Sequence, residues 1–587
     1  MIVLLWAVIY IPGLFTPPLL DDADSVHAEA AREMLVRHDW VTLYANGIRY
    51  LEKAPFMYWG IAASFKLFGV SEWSARLPLA LGVLALLLAT YGLGKRAYGE
   101  VGGFYSALVL ATCLGIYLFT RFQIPDVLVA LWLALGFYFF LRTLKEQPPS
   151  RLACWGLAGT VALNVLTKGL IGLVFPGAII FTFLLLTGNL RHLLRMRLLS
   201  SAAVFLAIAA PWHILAALRN PTQGSVRGFL WFYFVNEHFL RYLNKRVPRD
   251  YDTVPLLVFW GLLLLWLAPW SAFLPQAIRS IPLRLRSLRS GLNHEQRANL
   301  LFAIWALVIV FFFSFSTRQE YYTLPGVPAL ALLIGGWLAR ESVAAPESPD
   351  RRAGRISSGI LFAIGVLGCA VGLLLLSWSR AVPPGSDLAE LLRKNPQDYA
   401  LSFGHIFDLT PQALGVFRDP LLGVSLALLL GTGLNWLFRR RGAPANGNLA
   451  LAAMMVALLS CVHAALVTFS PILSSKQLAV AIQKEYRPGD VIVIAGEYEQ
   501  GSTLNFYTGV PVRILHARSA NLWYGSFFPD APQVFETQDS FERLWKGASR
   551  VFLWSDQEQP PQLSGLTSYE LAHGGGKYIY TNQAVAH

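Results

Sequence analysis

Long apolar runs separated by short polar segments dominate the first 470 residues of the chain. A helix that crosses a membrane needs about 20 predominantly apolar residues, and on this criterion the pattern predicts roughly thirteen helices. They lie near residues 1–15, 75–94, 101–120, 124–141, 152–167, 169–187, 198–216, 254–275, 299–315, 322–339, 356–378, 420–438 and 448–470. The apolar segment 54–69 is shorter and predicts an interfacial or re-entrant helix.

Every second loop between the predicted helices is basic. If the N-terminus is cytoplasmic, these loops all face the cytoplasm, as the positive-inside rule requires. Their cations are Lys95, Arg96, Lys145, Arg151, Arg191, Arg195, Arg197, Arg284, Arg286, Arg289, Arg297, Arg351, Arg352, Arg355, Arg439, Arg440 and Arg441. The opposite loops include three long ones, 16–74, 217–253 and 379–419. An odd number of helices then places the segment after residue 470 on the outer face as well.

The segment 471–587 has a different pattern and contains no run long enough to span a membrane. Predicted helices and strands alternate along it, which is typical of a small α/β domain. The helices are expected near 475–486, 501–508 and 539–545, and the strands near 491–495, 512–515 and 551–554. The sequence therefore predicts an all-α polytopic membrane domain over 1–470 and an extracytoplasmic α/β domain over 471–587.

Composition agrees with a membrane protein. Hydrophobic residues make up 55% of the 587 residues and charged residues 14%, whereas soluble domains carry about 25% charged residues. The 48 basic and 35 acidic residues give a net charge of +13, but the cations form short clusters between apolar runs, so a nucleic-acid partner is not expected. Four cysteines lie inside apolar runs without a CxxC spacing, which predicts neither a zinc site nor a disulfide framework.

The first long loop carries the densest group of acids. Asp21, Asp22 and Asp24 follow the first helix, and this cluster is costly at a membrane surface unless it is protonated, paired or bound to a ligand. The alternative is a solvated turn with an Asp as the N-cap of a helix that continues through Met34. Farther on, Glu52 and Lys53 open the interfacial segment. They are either a surface ion pair or a lysine that holds a lipid phosphate beside an acid that positions it.

Further candidates lie in other loops of the same predicted face. Asp126 stands at the end of an apolar helix, where an acid is a functional candidate; the alternative is a structural pair with Arg121. Lys168 is a similar point charge between two apolar runs, and Lys168, Arg121 and Tyr322 are candidate substrate- or phosphate-binding residues. The remaining candidates are Glu237, His238 and Arg241, which lie beside a cluster of aromatic residues, and Arg318, which suits a bidentate phosphate contact. Together they predict one outer-face site with carboxylates for chemistry and cations for phosphate.

A set of short motifs runs through roughly the first 340 residues. It consists of Asp22-Ala23-Asp24, Ala28 to Leu35, Asp39-Trp40, Leu51-Glu52-Lys53, Trp59, Pro125-Asp126, Thr167-Lys168-Gly169, Pro211-Trp212, Glu237-His238, Arg241, Arg318 and Tyr322-Thr323-Leu324-Pro325. This set resembles the bacterial polyprenyl-phosphate-dependent glycosyltransferases of the protein O-mannosyltransferase-like group, and among them the lipid A aminoarabinose transferases. One departure is that relatives commonly have an adjacent Asp-Glu pair where this chain has Asp22, Ala23 and Asp24, so either Asp22 or Asp24 takes the catalytic place.

The resemblance implies a GT-C fold in the bacterial inner membrane, with the site and the C-terminal domain in the periplasm. It implies an enzyme that moves a sugar, with 4-amino-4-deoxy-L-arabinose as the candidate, from undecaprenyl phosphate to an acceptor such as lipid A, with inversion. Asp22 or Asp24 serves the acceptor, and Lys53, Arg241 and Arg318 stabilise the leaving phosphate. Asp126 and Glu52 orient the sugar or the acceptor. Membrane lipids are the expected surroundings, and a monomer is expected.

The resemblance implies neither ATP nor a required cofactor, because the donor's phosphoester bond supplies the energy; a divalent metal bridging the outer acids is compatible with the sequence but not indicated by it. Two other functions stay open. One is a hexose or mannose transferase acting on protein or envelope glycan. The other is a glycolipid transporter, which is disfavoured because transporters place charges near the bilayer midplane and often show two related halves.

Overall fold

The computed structural model describes residues 1–146, 148–249, 253–283, 288–289, 291–383, 385–392 and 408–584. Arg284 and Arg286, named above as loop cations, lie outside these residues, as does part of the loop 379–419. Each of the thirteen apolar runs predicted from the sequence falls on helical structure. The fold is therefore the mostly helical one that the hydropathy pattern predicts.

Within the described residues, seven helices are long and apolar enough to cross a membrane. They are Glu72–Ala111, Asp126–Lys145, Leu198–Arg219, His294–Ser314, Pro349–Trp378, Arg418–Arg440 and Pro444–Leu473. The helices Leu256–Trp266 and Trp270–Arg279, bent by 95° at a short break, give an eighth if they form one span.

The number is below the thirteen expected for identifiable reasons. The 40-residue stretch Glu72–Ala111 holds two of the predicted helices, which meet at Gly99 with its φ of +82° and fold back on each other so that Gly94 approaches Gly103; the stretch is counted once among the seven. Arg151–Lys168, Ile171–Leu186 and Val327–Val343 have 18 residues or fewer, and the first apolar segment is two short helices, Ile2–Tyr10 and Pro12–Phe15.

The first loop, residues 16–74, is well structured. The predicted amphipathic helix is Ala23–Val36, and the apolar segment is the helix Phe56–Phe68. A two-stranded antiparallel hairpin, β1 (Tyr44–Ala45) and β2 (Ile48–Arg49), lies between them. Elsewhere in the first 470 residues, shorter helices connect the long ones, among them Leu114–Leu118, His192–Arg195, the π-helix Leu230–Leu240 and Pro411–Val416.

The C-terminal segment forms a six-stranded sheet with helices Lys476–Glu485, Ser502–Thr508, Ala520–Trp523 and Gln538–Trp545. The strands are β3 (Val491–Ala495), β4 (Arg513–Leu515), β5 (Phe535–Glu536), β6 (Val551–Ser555), β7 (Tyr569–Gly574) and β8 (Lys577–Thr581). Their order is β5-β4-β3-β6-β8-β7, parallel from β5 to β6 and antiparallel from β6 to β7. The three predicted strands are confirmed as β3, β4 and β6, while β5, β7 and β8 escaped prediction.

The sheet packs on the first loop, and Asp21 is the centre of this contact. Its carboxylate accepts hydrogen bonds from the backbone N–H and hydroxyl of Thr503 (2.9 and 2.6 Å) and from Ser475 (3.1 Å), and it pairs with Lys577 (2.7 Å). Asn46 in the β1–β2 turn exchanges two hydrogen bonds of 2.8 Å with the backbone of Val512. The end of the bundle that carries the first loop and the sheet is called the domain-bearing end below.

Candidate active site

Asp126 and Lys168 form a close ion pair at the domain-bearing end. The Lys168 ammonium lies 2.6 and 2.5 Å from the two carboxylate oxygens of Asp126, which is 1% exposed. Asp126 begins one helix and Lys168 ends the neighbouring one, so the acid and the base each have the sign that the helix dipole favours. The structural alternative of a pair between Asp126 and Arg121 is wrong. The Lys168 ammonium also lies over the rings of Tyr321 and Tyr322, 5.4 and 5.0 Å from their centres.

Gly169 lets the π-helix approach this pair. Its φ is +72°, and a Cβ atom there would lie 2.0 Å from Nε2 of His238. That nitrogen accepts the backbone N–H of Leu170 (3.0 Å), and Nδ1 lies 2.5 Å from the carbonyl oxygen of Tyr233. A backbone N–H donated to Nε2 requires the neutral tautomer with its proton on Nδ1. Burial lowers the pKa of His238, so it is a neutral group that fixes the π-helix beside Lys168.

A chain of alternating charges runs from the π-helix to the first loop. Glu237 accepts from Arg241 (3.2 Å) and from Arg246 (2.6 Å), and Arg246 also reaches Glu52 at 2.9 Å. Lys53 lies 3.4 Å from Glu52 at one end of the chain. At the other end Arg241 donates to the hydroxyl of Tyr322 (3.1 Å). The sequence named every member except Arg246, because nothing in the basic segment that follows Arg241 marks one cation as buried.

Lys53 lies close to a buried histidine of the first loop. Burial and then the charge of Lys53 lower the pKa of His27 to about 3, so this side chain is neutral. Its Nδ1 atom is 2.5 Å from the carbonyl oxygen of Gln123. Lys53 therefore lies beside Glu52 and within electrostatic range of His27, and its side chain is 29% exposed. This partial exposure leaves the ammonium accessible to an anionic ligand.

The three acids of the first loop have different surroundings. Asp21 is held by the sheet as described above. Asp24 is 1% exposed; it accepts the backbone N–H of Gln123 (2.7 Å) and lies 3.3 Å from Arg76. These contacts give Asp24 a structural role, tying the first loop to the helix Glu72–Ala111.

Asp22 is the exposed acid of the three and the N-cap of the helix Ala23–Val36. Its φ of +66° is rare for a residue other than glycine, and strained backbone of this kind clusters at functional sites. The charge of Asp22 affects the pKa of two buried tyrosines, which shows where Asp22 lies in the site. Burial, then the charge of Asp126 and that of Asp22, raise the pKa of Tyr321, while burial, then Glu52 and Asp22, raise that of Tyr50. Asp22 thus acts on Tyr321, whose ring centre lies 5.4 Å from the Lys168 ammonium, and on Tyr50, whose ring centre lies 6.0 Å from the Lys53 ammonium.

Two predicted cations have contacts other than the charged groups of this cluster. Arg318 donates to the carbonyl oxygens of Val254 (2.7 Å), Ser314 (3.2 Å) and Ser316 (3.3 Å), bonds that fix the loop between two helices. The Arg121 guanidinium lies over the rings of Tyr117 and Tyr10, 4.8 and 5.8 Å from their centres. Its Nε and Nη1 atoms are buried and have no hydrogen-bond partner in the described part of the chain.

A metal site was not indicated by the sequence. Over the ranges that the structure describes, no group of three or more His, Cys, Asp or Glu side chains is placed to hold a metal ion.

Known proteins resemble this chain in sequence. Residues 52–215 match the family model described as dolichyl-phosphate-mannose-protein mannosyltransferase. The undecaprenyl phosphate-alpha-4-amino-4-deoxy-L-arabinose arabinosyl transferase of Aeromonas salmonicida (strain A449) is 29% identical over 388 residues, 65% of this chain and 66% of that protein. The enzyme of the same name from Aeromonas hydrophila is 28% identical over 63% of this chain and 64% of that protein. These alignments span less than two thirds of the length of the two relatives.

The resemblance in structure is more extensive. ArnT from Cupriavidus metallidurans, in a crystal structure bound to undecaprenyl phosphate, matches with a TM-score of 0.82 and 22% identity, covering 99% of this chain and 97% of that one. The chain has the GT-C fold of ArnT. The apo state of ArnT gives a TM-score of 0.80 at the same identity and coverage. The fold class and the resemblance predicted from the sequence are thereby confirmed.

Proposed function

We propose that this protein is an integral-membrane glycosyltransferase that moves a sugar from an undecaprenyl phosphate carrier to an acceptor at the membrane surface, with inversion. The observation that carries the proposal is the cluster at the domain-bearing end, in which Asp22, the Asp126–Lys168 pair and the chain from Lys53 to Tyr322 come from separate parts of the sequence. ArnT, which has the same fold, was crystallised with undecaprenyl phosphate, so the fold itself accommodates such a carrier.

Each group has a defined part in the proposed reaction. An acceptor oxygen forms a bond to the anomeric carbon while the bond from that carbon to the carrier phosphate breaks, and the electron pair leaves with the phosphate. Lys53 and Arg241 stabilise the charge that develops on this leaving group. Asp22 accepts the proton of an acceptor hydroxyl, or orients the acceptor if it is a phosphate. Asp126 and Lys168 hold the sugar, and Glu52 and Glu237 fix the two phosphate-binding cations.

The donor sugar we propose is 4-amino-4-deoxy-L-arabinose, and the acceptor is a phosphate of lipid A. The name of the aligned Aeromonas enzymes supports the sugar and its carrier, and the acceptor follows from the resemblance to the lipid A aminoarabinose transferases. The protein then lies in the bacterial inner membrane, with the N-terminus in the cytoplasm and the domain-bearing end in the periplasm, in the orientation that the basic loops favour. A second candidate, mannose transfer to protein, is favoured by the description of the family model that matches residues 52–215.

The test is a transfer assay with the purified chain in lipid vesicles. Undecaprenyl phosphate carrying labelled aminoarabinose or labelled mannose is offered with lipid A or with a peptide acceptor. We expect label on lipid A from the aminoarabinose donor only. Mannose on peptide would favour the second candidate, and donor that moves between leaflets without cleavage would replace both with a transporter. Activity after treatment with a chelator tests metal dependence in the same vesicles.

We propose that Arg121 binds an anionic group of the acceptor. Among the described residues, Nε and Nη1 of Arg121 are buried without a hydrogen-bond partner, which is costly for a guanidinium, and an acceptor phosphate would supply charge-assisted hydrogen bonds to it. Arg121→Met is expected to raise the KM for the acceptor by about tenfold or more, because one such bond contributes about 1.5–3 kcal/mol, and to leave the KM for the donor unchanged. Initial rates at varied acceptor and donor concentrations measure both constants.

The unfolding temperature of Arg121→Met is expected to equal or exceed that of the native protein. The reason is that the substitution removes a buried positive charge that has no ion-pair partner among the described residues. A matched control is Arg227→Met, since Arg227 also lies over an aromatic ring, that of Trp231 at 4.6 Å, but is exposed. An unchanged acceptor KM in Arg121→Met would remove this residue from the site.

A further inference from the structure

The C-terminal sheet brings one more carboxyl group to the candidate site. Strand β3 has parallel neighbours on both sides, and the chain that leaves it turns first towards β4 and β5 and later crosses to β6. In open α/β sheets the crevice beyond the carboxyl ends of the strands at such a switch point is where ligands bind. The turn that follows β3, Tyr498–Gly501, lies there, and it contains Glu499.

The first loop is bonded to this turn and to the helix that follows it. The backbone N–H of Asp22 lies 3.0 Å from the carbonyl oxygen of Glu499 and 2.9 Å from the hydroxyl of Ser502. Ser502 also pairs with Ser25 at 2.8 Å, one turn into the helix that Asp22 caps. The unusual backbone conformation of Asp22 is therefore held by the backbone carbonyl of Glu499 and the hydroxyl of Ser502.

Of the two carboxyl oxygens of Glu499, one has a hydrogen-bond partner among the described residues and the other has none. Oε1 accepts the backbone N–H of Asn521 at 2.9 Å. Oε2 is buried and has no hydrogen-bond partner in the described ranges. An ionised carboxylate is strongly disfavoured in such a place, and burial, followed by the charge of Asp22, raises the pKa of Glu499 to about 8.

We propose that Glu499 is a positioning residue of the transfer site, whose carboxyl group shares a single negative charge with that of Asp22. This inference rests on the transfer reaction proposed above. With Glu499 neutral, the contact carries only the charge of Asp22, the acid that serves the acceptor in the proposed reaction, and the first loop stays docked on the sheet. When Glu499 loses its proton, two like charges face each other across this contact, and both the docking and the orientation of Asp22 are weakened.

Other charges around Glu499 are few. Asp22 faces it from the first loop, and Glu497 acts on it from its own turn. The helix Ala520–Trp523 contributes the N–H of Asn521 and no charge. The neighbouring side chain of Tyr498 lies in the field of Glu29, Glu33, Glu499 and Arg32. These neighbours include more acidic than basic side chains, and their negative charge favours the protonated form of Glu499.

The stability that Glu499 contributes has a defined pH dependence. The pKa of Glu499 is higher in the folded protein than in the unfolded chain. Its contribution to the free energy of unfolding is therefore complete at a pH below the unfolded-state pKa, and it is lost as the pH rises through about 8. Loss of the same proton from Glu499 is expected to slow sugar transfer. Transfer is therefore expected to fall on the alkaline side of a midpoint near pH 8.

The experiment compares pH–rate profiles of the native chain, Glu499→Gln and Glu558→Gln. Gln imitates the neutral carboxyl, so Glu499→Gln is expected to keep most of the activity at pH 7 and to lose the alkaline fall near pH 8. Glu558 is an exposed acid beyond the carboxyl end of β6, and its variant is expected to keep the native profile. An alkaline fall that persists unchanged in Glu499→Gln would overturn the proposal.

An infrared titration reads the same group without any transfer. The native protein is expected to show a protonated-carboxyl band that disappears with a midpoint near pH 8 and is absent from Glu499→Gln. Its presence in a chain that transfers no sugar would support the shared charge while rejecting the proposed function. Its absence at pH 7 from a chain that does transfer sugar would reject the role of Glu499 and leave the proposed function standing.

Discussion

Replacing Asp126 with Asn is expected to lower sugar transfer by about 100-fold or more, the size of effect produced by removing one electrostatic group from a transition state. The reason is geometric as well as electrostatic. Both carboxylate oxygens of Asp126 bind Lys168, at 2.6 and 2.5 Å, and an amide would keep one acceptor but lose the charge that orients the ammonium over Tyr321 and Tyr322. Initial rates at saturating donor and acceptor measure the loss.

A structural role for Asp126 is separated from a catalytic one by a second variant. Asp126→Asn leaves the Lys168 charge without its partner, so some thermal destabilisation is expected. The double variant Asp126→Asn/Lys168→Gln removes both charges, and we expect it to regain stability while remaining inactive. Asp419→Asn is a matched control, because Asp419 also lies in the first turn of an apolar helix but is exposed. Recovery of transfer in the double variant would show that the pair only stabilises the fold.

The helices and strands that could be predicted from the sequence are those whose position depends on local hydropathy alone. Hydropathy is set residue by residue, so every apolar run became helix, and the strands with continuous apolar runs, such as Val491–Ala495, matched closely. What failed depends on packing. Strand β5 has only two residues, Phe535–Glu536, and such a strand is defined by its neighbour β4 and not by its own composition.

The candidate site was predicted by residue type but not by partner. Sequence proximity suggested Arg121 for Asp126, whereas two packed helices bring Lys168 to it from 42 residues away. Spacing left Asp22 and Asp24 as equal candidates, and burial separates them, because Asp24 is enclosed while Asp22 is exposed. Arg246 and Glu499 were missed, since one is a single cation in a basic segment and the other lies in the C-terminal domain, and only the tertiary contacts bring both to the first loop.

Arg246 should be the most sensitive cation of the site. It bridges Glu237 at 2.6 Å and Glu52 at 2.9 Å, and all three side chains are 3% exposed. Arg246→Ala would leave two carboxylates facing each other in a buried place, and removing one partner of a buried ion pair costs about 3–5 kcal/mol. We expect a clear fall in the unfolding temperature and a loss of transfer of about 100-fold or more, because Lys53 and Arg241 lose the acids that orient them. Lys245→Ala, an exposed neighbour, is the control.

Compensating variants distinguish the two effects of Arg246. Arg246→Lys keeps the charge but cannot reach both carboxylates with a planar fork, so it should be more stable than Arg246→Ala and still slow. The triple variant Arg246→Gln/Glu52→Gln/Glu237→Gln removes the buried charges together, and its unfolding temperature should return towards the native value. Transfer in the triple variant should stay low, with a raised KM for the donor, because nothing then holds Lys53 and Arg241 against the phosphate. Native transfer in that variant would mean that the charge chain serves the fold alone.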